Sequence, residues 1–319
     1  MKTLLVGYRA ADLFERGRHG RRTTAGWLTD DVVCHTLDVY ERHAIEKAHH
    51  ARAVCSPHLP EGPWDVIKFK TGPKRMSGEL ALDLLQEIAR ALDGKLKPPR
   101  FELDFEGRER DRNDLLQKVA GDPTRVRDFS AKWRSSVPGG PVLEFTSFPG
   151  CFCHRRQDEG GLALAEVVSK ELREAEPANQ DSPRVLDMGC GCGLVGFLVK
   201  SVVPGAALTL VDSHSRAVEA AKLNARNFGY EAEVILADNG TPARMDGTFD
   251  VFVGNPPYYS DYRIADVFLQ TAARALKPGG ACYAVCKNAA GLEPVQKKYF
   301  PTVEIIKRRG YAVLKSVKD

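Results

Sequence analysis

The stretch FDVFVGNPPY (residues 249–258) decides the fold of this 319-residue chain and points to its functional site. Residues 249–254 are apolar and β-rich and end in glycine, a pattern that predicts a buried strand. Asn255, Pro256 and Pro257 follow without a break, and each proline stiffens the backbone because it fixes φ. In open α/β sheets, ligands bind at the carboxyl ends of the strands. The stretch therefore predicts an α/β fold with an amide side chain at the ligand-binding edge.

Asn255 and Pro256 offer hydrogen-bond acceptors that suit an exocyclic amine or an amide nitrogen. Such a nitrogen is a poor nucleophile because its lone pair is delocalised. The Asn255 side-chain oxygen and the Pro256 carbonyl could each accept one N–H, which would aim the lone pair at an electrophile. Tyr258 could stack on the substrate ring. The alternative is a plain turn, since Asn-Pro and Pro-Pro are common loop dipeptides.

A second stretch, RVLDMGCGCGL (residues 184–194), predicts a strand, a glycine-rich turn and a helix. Gly189, Gly191 and Gly193 let the backbone bend sharply and approach a ligand closely. The N-terminus of the following helix favours negative charge. Asp187 ends the strand and Cys190 lies inside the turn, so this is the context that a nucleotide-binding glycine motif requires.

Acidic residues also end the next two predicted strands. Asp212 ends the strand at residues 207–212, where a carboxylate can accept both hydroxyls of a ribose. Asp238 ends the strand at residues 233–238 and precedes Asn239, where an acceptor can take an adenine N6 amine. Each acid alone could be a helix cap or a turn residue. Three acids at three successive strand ends favour a nucleoside site.

The chain contains an approximate internal repeat. Three pairs of segments match in the same order: residues 36–45 with 210–218, 62–67 with 247–252, and 85–92 with 269–276. This indicates two copies of one α/β unit, unless strand–helix alternation alone makes two α/β domains look alike. The first copy lacks the glycine turn and the Asn-Pro-Pro, and carries KFKTGPK at residues 68–74 instead.

The sequence SSVPGGP (residues 135–141) is the best candidate for a linker. We therefore expect a first domain at residues 1–136, a linker at 137–147 and a second domain at 148–319. In the loop before the second domain's first helix, Asp158 could cap that helix. The functional interpretation is that this loop, with Phe152, folds over a bound cofactor.

Composition and charge limit the possible functions but do not identify one. The net charge is +4 with a pI of about 8.5, which permits a nucleic-acid partner but does not require one. No apolar run is long enough to span a bilayer, and the N-terminus lacks the apolar stretch of a signal peptide, so we expect a cytoplasmic protein. The 8 cysteines include two Cys-x-Cys pairs, but no partner pair stands at zinc-finger spacing, so we expect reduced thiols and no metal.

Together these motifs resemble the class I S-adenosylmethionine-dependent methyltransferases over about residues 145–319. The resemblance implies S-adenosylmethionine as the cofactor and a seven-stranded sheet whose last strand is antiparallel. It implies Asn255, Pro256 and Tyr258 as catalytic residues. The implied cofactor-binding residues are Asp187, Gly189, Cys190, Gly191, Gly193, Asp212, Ser213, Asp238, Asn239, Asn255, Phe152 and Asp158.

The whole chain is similar to a narrower group, the two-domain ribosomal RNA guanine-N2 methyltransferases of the RsmC and RlmG type. That family pairs two Rossmann-like methyltransferase domains in tandem, the N-terminal one degenerate. PGCFCH (residues 149–154), followed by Asp158, stands in the pattern of its interdomain motif. The resemblance implies ribosomal RNA or a ribosomal subunit as the partner of a monomeric enzyme. The implied substrate-binding residues are Pro257, Tyr258, Tyr259, Lys68, Lys70, Lys74 and Arg75.

The target atom stays open at this point. The family usually continues its Asn-Pro-Pro with Phe-His, whereas this chain has Tyr258 and Tyr259. Asn-Pro-Pro-Tyr also occurs in adenine-N6 and protein-glutamine methyltransferases, so these acceptors, or a small molecule, are alternatives. A further alternative is a non-catalytic RNA-binding protein in which both copies have decayed.

Overall fold

The computed structural model describes residues 1–16, 22–93, 97–120, 127–175, 182–238, 245–257 and 262–319. By its contacts the chain divides into two compact units. The N-terminal unit comprises Met1–Ser130, Phe148–Gly150 and His214–Arg216, and the C-terminal unit comprises Ala131–Ser147, Cys151–Ser213 and Ala217–Asp319. Among the described helices, none combines the length and the apolar character needed to cross a membrane.

The N-terminal unit is an α/β fold built on a parallel five-stranded sheet in the order β5-β4-β1-β6-β7. A two-stranded ribbon, β2–β3, lies outside this sheet. The elements in chain order are β1 (Thr3–Val6), β2 (Phe14–Arg16), β3 (Arg22–Thr24), β4 (Val32–Thr36), α1 (Val39–His49), β5 (Arg52–Cys55), β6 (Val66–Thr71), α2 (Gly78–Leu92), β7 (Arg100–Phe105) and α3 (Glu109–Ala120).

Helix α2 shows how the apolar pattern builds this unit. Ser77 caps the helix by accepting a hydrogen bond from the Leu80 N–H at 3.2 Å. Leu80, Leu84 and Ile88 recur at four-residue spacing, so they lie on one helical face. All three are buried in one cluster with strand residues of β1 and β6. The amphipathic face therefore fixes α2 against the sheet.

The C-terminal unit is built on a seven-stranded sheet in the order β12-β11-β10-β13-β14-β16-β15. A separate antiparallel ribbon, β8–β9, belongs to the same unit. The elements in chain order are β8 (Ala131–Ser135), β9 (Leu143–Ser147), α4 (Glu159–Glu174), β10 (Arg184–Met188), α5 (Leu194–Val202), β11 (Ala207–Asp212), α6 (Ser215–Phe228), β12 (Ala232–Leu236), β13 (Phe249–Gly254), α7 (Arg263–Ala275), β14 (Leu276–Cys286), α8 (Ala289–Gln296), β15 (Glu304–Arg308) and β16 (Tyr311–Val317).

Five of these strands are parallel, and β16 is antiparallel to both of its neighbours, β14 and β15. The first five strands of each large sheet follow the same order, with the first strand at the centre. The predicted fold of two α/β units, the second with seven strands and an antiparallel last strand, is confirmed.

Strand β13 lies in the middle of the C-terminal sheet and is buried on both faces. Phe249, Phe252 and Val253 are each 0% exposed. Parallel strands covered by helices on both faces read as continuous apolar runs, which is why residues 249–254 predict a strand despite lacking alternation. Its pairing with β10, Met188 opposite Gly254, brings the ends of both strands to one edge of the sheet.

The division of the chain differs from the one expected. The contacts separate Ser130 from Ala131, whereas the sequence predicted a boundary after residue 136 and a linker over 137–147. In the structure Ala131 pairs with Ser147 and Ser135 with Leu143, so much of that segment forms a hairpin of the C-terminal unit. The Pro-Gly-Gly-Pro sequence supplies the bend of this hairpin, where Gly139 has φ of +80°.

Candidate active site

The candidate site lies at the carboxyl edge of the C-terminal sheet, where β10, β11 and β13 end side by side. The glycine loop follows β10, Asp212 ends β11, and Asn255 follows β13. The parallel register of these strands brings the three features together, because it places all three carboxyl ends at one edge.

A cavity of about 40 Å³ opens among these features. A space of that size holds only a few water molecules, so a bound nucleoside would extend beyond it toward solvent. Phe152, which lines the cavity, is 67% exposed. The lining residues are Trp133, Phe152, Cys153, Asp158, Asp187, Gly189, Cys190, Gly191, Cys192, Leu194, Val195 and Asn255.

The glycines of the loop have different roles. Gly189, Gly191 and Gly193 all adopt positive φ, at +69°, +55° and +88°. A Cβ on Gly189 would lie 2.7 Å from Cζ of Phe268, and one on Gly193 would lie 2.3 Å from Cε2 of Phe197. A Cβ on Gly191 would meet no atom within 4 Å. The first and third glycines therefore serve packing, while the second borders open space that a ligand can enter.

Carboxylates surround this open space. Asp212 accepts a hydrogen bond from the Gly191 N–H at 2.8 Å, which ties the loop to the end of β11. Asp187 is 2% exposed and accepts from the Gly196 N–H at 3.0 Å. Burial raises the pKa of Asp187 to about 7, and the nearby Asp212 and Asp158 carboxylates add to the increase. The site therefore carries negative potential, which favours a cationic ligand.

Asn255 is held by Asp158, a residue 97 positions away in the sequence. Its side-chain Nδ2 donates a hydrogen bond to Asp158 Oδ2 at 2.7 Å. Asp158 is also the N-cap of α4 and accepts from the Gly160 N–H at 3.0 Å. Burial raises the pKa of the Asp158 carboxyl, while hydrogen bonds from Gly161, Asn255 and Gly160 oppose the increase. Pro256 is buried beside Asn255, and Pro257 is half-buried.

Among the described residues that the sequence predicted, Ser213 and Asp238 do not line the cavity. Ser213 and Asp238 follow the ends of β11 and β12 at the same edge of the sheet, and both are half-buried. Tyr258, Tyr259 and Asn239 lie outside the described residues. All eight cysteines are free thiols, and burial raises the pKa of Cys190, which keeps it protonated at neutral pH.

Asn224 on α6 is a site-supporting residue that the sequence analysis missed. It is 0% exposed. Its Nδ2 donates to the carbonyl oxygens of Cys192 and Thr146, both at 2.9 Å, and its Oδ1 accepts from the Thr146 N–H at 2.9 Å. It therefore joins the glycine loop to β9. A polar amide among the apolar positions of an amphipathic helix was the available signal.

Three further residues near the site were also missed. Trp133 on β8 lines the cavity. Tyr311, at the start of β16, lies close to α4, because a Cβ on Gly160 would be 3.1 Å from its Cε1. Lys287, directly after β14, places Nζ 3.8 Å from the centroid of the Tyr311 ring. An aromatic ring and a cation thus flank the side of the site that faces Asn255.

The basic residues predicted to bind substrate in the N-terminal unit are mostly paired with acids. Lys70 Nζ lies 2.9 Å from Asp104 and 3.2 Å from Glu106. Arg75 is 7% exposed, forms an ion pair with Asp12 and donates to the Gly7 carbonyl at 3.1 Å. These side chains fill the carboxyl edge of the N-terminal sheet, the position that the cavity occupies in the C-terminal unit.

The other two basic residues are more exposed. Lys68 Nζ lies 3.1 Å from a Glu102 oxygen, with 33% of the lysine side chain exposed. Lys74 is exposed. A Cβ on Gly7 would lie 2.3 Å from the Lys70 carbonyl oxygen, so the loop after β1 packs closely on β6. The N-terminal copy thus retains the sheet, and this close packing leaves no room for a ligand between the loop after β1 and β6.

Comparison with known proteins gives one family. The model of the methyltransferase small domain family matches residues 142–315. The ribosomal RNA small subunit methyltransferase C of Pseudomonas aeruginosa is 32% identical over 163 residues, which covers 49% of this chain and 45% of that protein. The protein of the same name from Stutzerimonas stutzeri is 25% identical over 348 aligned positions, covering 97% of each chain.

A solved structure matches over the full length. It is the T. thermophilus 16S rRNA N2 G1207 methyltransferase in complex with AdoMet and guanosine. The TM-score is 0.74 and the identity 17%, over 100% of this chain and 88% of that chain. At this identity the likeness shows the fold.

Proposed function

Because the chain belongs to the methyltransferase small domain family, we propose that it transfers a methyl group from S-adenosylmethionine to guanine N2 in ribosomal RNA. Relatives named as ribosomal RNA small subunit methyltransferases support the substrate class, and the guanosine-bound structure of similar fold supports the base. The observation that carries the proposal is the position of Asn255, which follows β13 and lines the same cavity as the glycine loop.

The residues of the cavity fit this cofactor. Open space beside Gly191 would admit the nucleoside, and Asp212 would accept its ribose hydroxyls. The negative charge of Asp212, which adds to the raised pKa of Asp187, suits a ligand that carries positive charge. When bound, S-adenosylmethionine supplies an electrophilic methyl group on a sulfonium, so the protein needs no covalent intermediate.

Asn255 and Pro256 would prepare the amine. The Asn255 Oδ1 and the Pro256 carbonyl accept its two N–H groups, which turns the lone pair away from both acceptors and stabilises the charge that develops on nitrogen. A base in structured RNA must leave its stack to reach such a pocket. Stacking of that base on Tyr258 stays a prediction from the sequence.

The proposal also includes the RNA partner and the residues that contact it. Ribosomal RNA, alone or within a ribosomal subunit, is the proposed substrate. In the N-terminal unit the exposed Lys74 is better placed for a phosphate contact than Lys70 or Arg75, whose charges are balanced by acids. That the enzyme acts as a monomer in the cytoplasm stays a prediction.

The proposed function is tested with wild type and the Asn255→Ala variant. S-adenosylmethionine binding is titrated, and transfer of labelled methyl is measured to naked ribosomal RNA and to ribosomal subunits from cells lacking this activity. The variant should bind the cofactor within about threefold of wild type and lose transfer by a factor of about 100 or more. Transfer retained within a few-fold would refute the role of Asn255.

The wild-type protein separates the rival functions in the same assay. Cofactor binding without any labelled RNA would point to a protein glutamine or a small molecule as the acceptor. No cofactor binding would revive a non-catalytic RNA-binding protein.

A further inference from the structure

Asp158 accepts hydrogen bonds from two kinds of donor, the backbone N–H groups at the start of α4 and the side-chain amide of Asn255. Oδ1 accepts from the Gly160 N–H at 3.0 Å and so caps α4. Oδ2 accepts from the Asn255 Nδ2 at 2.7 Å. A helix cap requires only one of these oxygens. The bond to the Asn255 amide is additional to capping and has a separate consequence, which concerns the orientation of that amide.

The amide of Asn255 has one end that donates and one that accepts. An ionised carboxylate only accepts, so the amide must present Nδ2 to Asp158. If the amide turned over, its Oδ1 would stand at hydrogen-bond distance from a carboxylate oxygen, with no hydrogen between them. The bond to Asp158 therefore directs Oδ1 away from the carboxylate.

The glycines at the start of α4 make this approach feasible. A Cβ on Gly160 would lie 3.4 Å from the Asn255 Nδ2, and a Cβ on Gly161 would lie 2.6 Å from Asp158 Oδ2. The close approach therefore requires glycine at position 161, because a Cβ there would clash with the carboxylate oxygen. At position 160 the tightest contact of a Cβ is the one with Tyr311 Cε1, at 3.1 Å. Two adjacent glycines in the first turn of a helix reduce its stability, which their packing at this site explains.

We infer that Asp158 is a positioning residue that locks the Asn255 amide with Oδ1 directed to the substrate amine. This inference rests on the proposed function and assigns to Asp158 a role different from cofactor contact. Asp158 does not touch the substrate and acts through Asn255. If Asp158 only capped the helix, variants that keep the cap but change the contact with Asn255 would retain their activity.

An exchange of the two side chains separates positioning from capping. In Asp158→Asn, the new amide can keep its oxygen on the Gly160 N–H, but its NH2 then faces Asn255, which must turn over to accept from it. Oδ1 of Asn255 would then point away from the substrate. We expect kcat to fall at least about tenfold, with the cofactor Kd within about threefold of wild type.

The double variant Asp158→Asn with Asn255→Asp restores a complementary pair. The amide at position 158 donates to one oxygen of the carboxylate at position 255, and the other oxygen is left for the substrate amine. Asn255→Asp alone places two carboxylates against each other. We therefore expect the double variant to be at least about tenfold more active than either single variant, a recovery that capping alone does not produce.

Two controls accompany these variants. Asp158→Ser keeps a good capping hydroxyl that is too short to hold the amide, so its melting temperature should stay near that of wild type while kcat falls. Glu159→Gln removes a neighbouring charge that pairs with Arg309 at 2.7 Å, and should leave kcat unchanged. Cofactor Kd and melting temperature are measured for every variant.

The outcomes distinguish this inference from the proposed function. If wild type transfers no methyl group to RNA, the proposed function fails. If wild type is active and Asp158→Asn or Asp158→Ser retains full kcat, Asp158 does not position Asn255. An active wild type with impaired single variants and no recovery in the double variant would also overturn the inference.

Discussion

Replacing Gly191 with alanine should separate the stability of the glycine loop from its binding function. Gly191 has φ of +55°, where an alanine is strained, and a Cβ there meets no atom within 4 Å. The strain costs about 1–2 kcal/mol. Alanine also reduces the conformational freedom of the unfolded chain, which offsets about 0.5 kcal/mol of that cost. We therefore expect Gly191→Ala to lower the free energy of unfolding by only about 1 kcal/mol.

The effect on cofactor binding should be larger, because the new methyl group would occupy the open space beside the loop. We expect the Kd for S-adenosylmethionine, measured by isothermal titration calorimetry, to rise at least about tenfold, equivalent to about 1.4 kcal/mol. Urea unfolding without the cofactor measures the stability term separately.

Gly229→Ala is the matched control. Gly229 follows α6 with φ of +67°, a Cβ on it would meet no atom within 4 Å, and it does not line the cavity. It should lose the same stability and bind the cofactor as wild type does. The reasoning would be refuted if Gly191→Ala bound the cofactor within about twofold of wild type while Gly229→Ala behaved as expected.

Three further changes test the folding energetics. Burial lowers the pKa of His35 to about 4 from its ordinary 6.5, so unfolding takes up a proton between these values. As the pH falls from 6.5 to 4, His35 should therefore lower the free energy of unfolding by roughly 3 kcal/mol. Urea titrations of His35→Gln should not show this loss. An equal pH dependence in the variant and wild type would contradict the prediction. Phe252→Ala should cost about 4 kcal/mol by the same method, because the ring is fully buried, and a loss below about 1.5 kcal/mol would be unexpected. Arg75→Ala should cost roughly 2 kcal/mol, because it removes the close ion pair with Asp12 at a largely buried site and leaves Asp12 only the 3.7 Å contact with Lys70 as an ion pair. A loss under about 1 kcal/mol, typical of a surface pair, would contradict this.

Local patterns in the sequence predicted the features that depend on neighbouring residues. The apolar run before Asn255 predicts β13 because a strand buried on both faces has no polar positions. The glycine loop after β10 is equally local, since its positive φ values require glycine wherever the loop is placed. The seven-stranded sheet with its antiparallel last strand follows from the resemblance of the motifs to one fold family.

Contacts between distant residues could not be read from the sequence. Asp158 and Asn255 are 97 positions apart, and each was a candidate for a different reason. Their hydrogen bond depends on how α4 packs against the end of β13. The pairing of Arg75 with Asp12, 63 positions away, depends likewise on the tertiary fold, so basic residues that read as a binding cluster are balanced by acids.

The hairpin at residues 131–147 shows that composition alone does not distinguish a linker from a folded element. Proline and glycine indicate that the chain bends, but they do not show whether the flanking segments pair. Trp133 and Phe145, which lie on β8 and β9, are stacked with ring centroids 6.1 Å apart. A composition typical of a linker therefore belongs to a folded element that also brings Trp133 to the cavity.

The most direct test of the proposed function is the identity of the methylated nucleoside. Ribosomal RNA and both ribosomal subunits from cells lacking this activity are incubated with the wild-type protein and labelled S-adenosylmethionine, and the RNA is digested to nucleosides. We predict N2-methylguanosine in one of these substrates and no label with Asn255→Ala. Label in N6-methyladenosine would contradict the assignment of guanine, and the absence of label from all RNA would contradict the account as a whole.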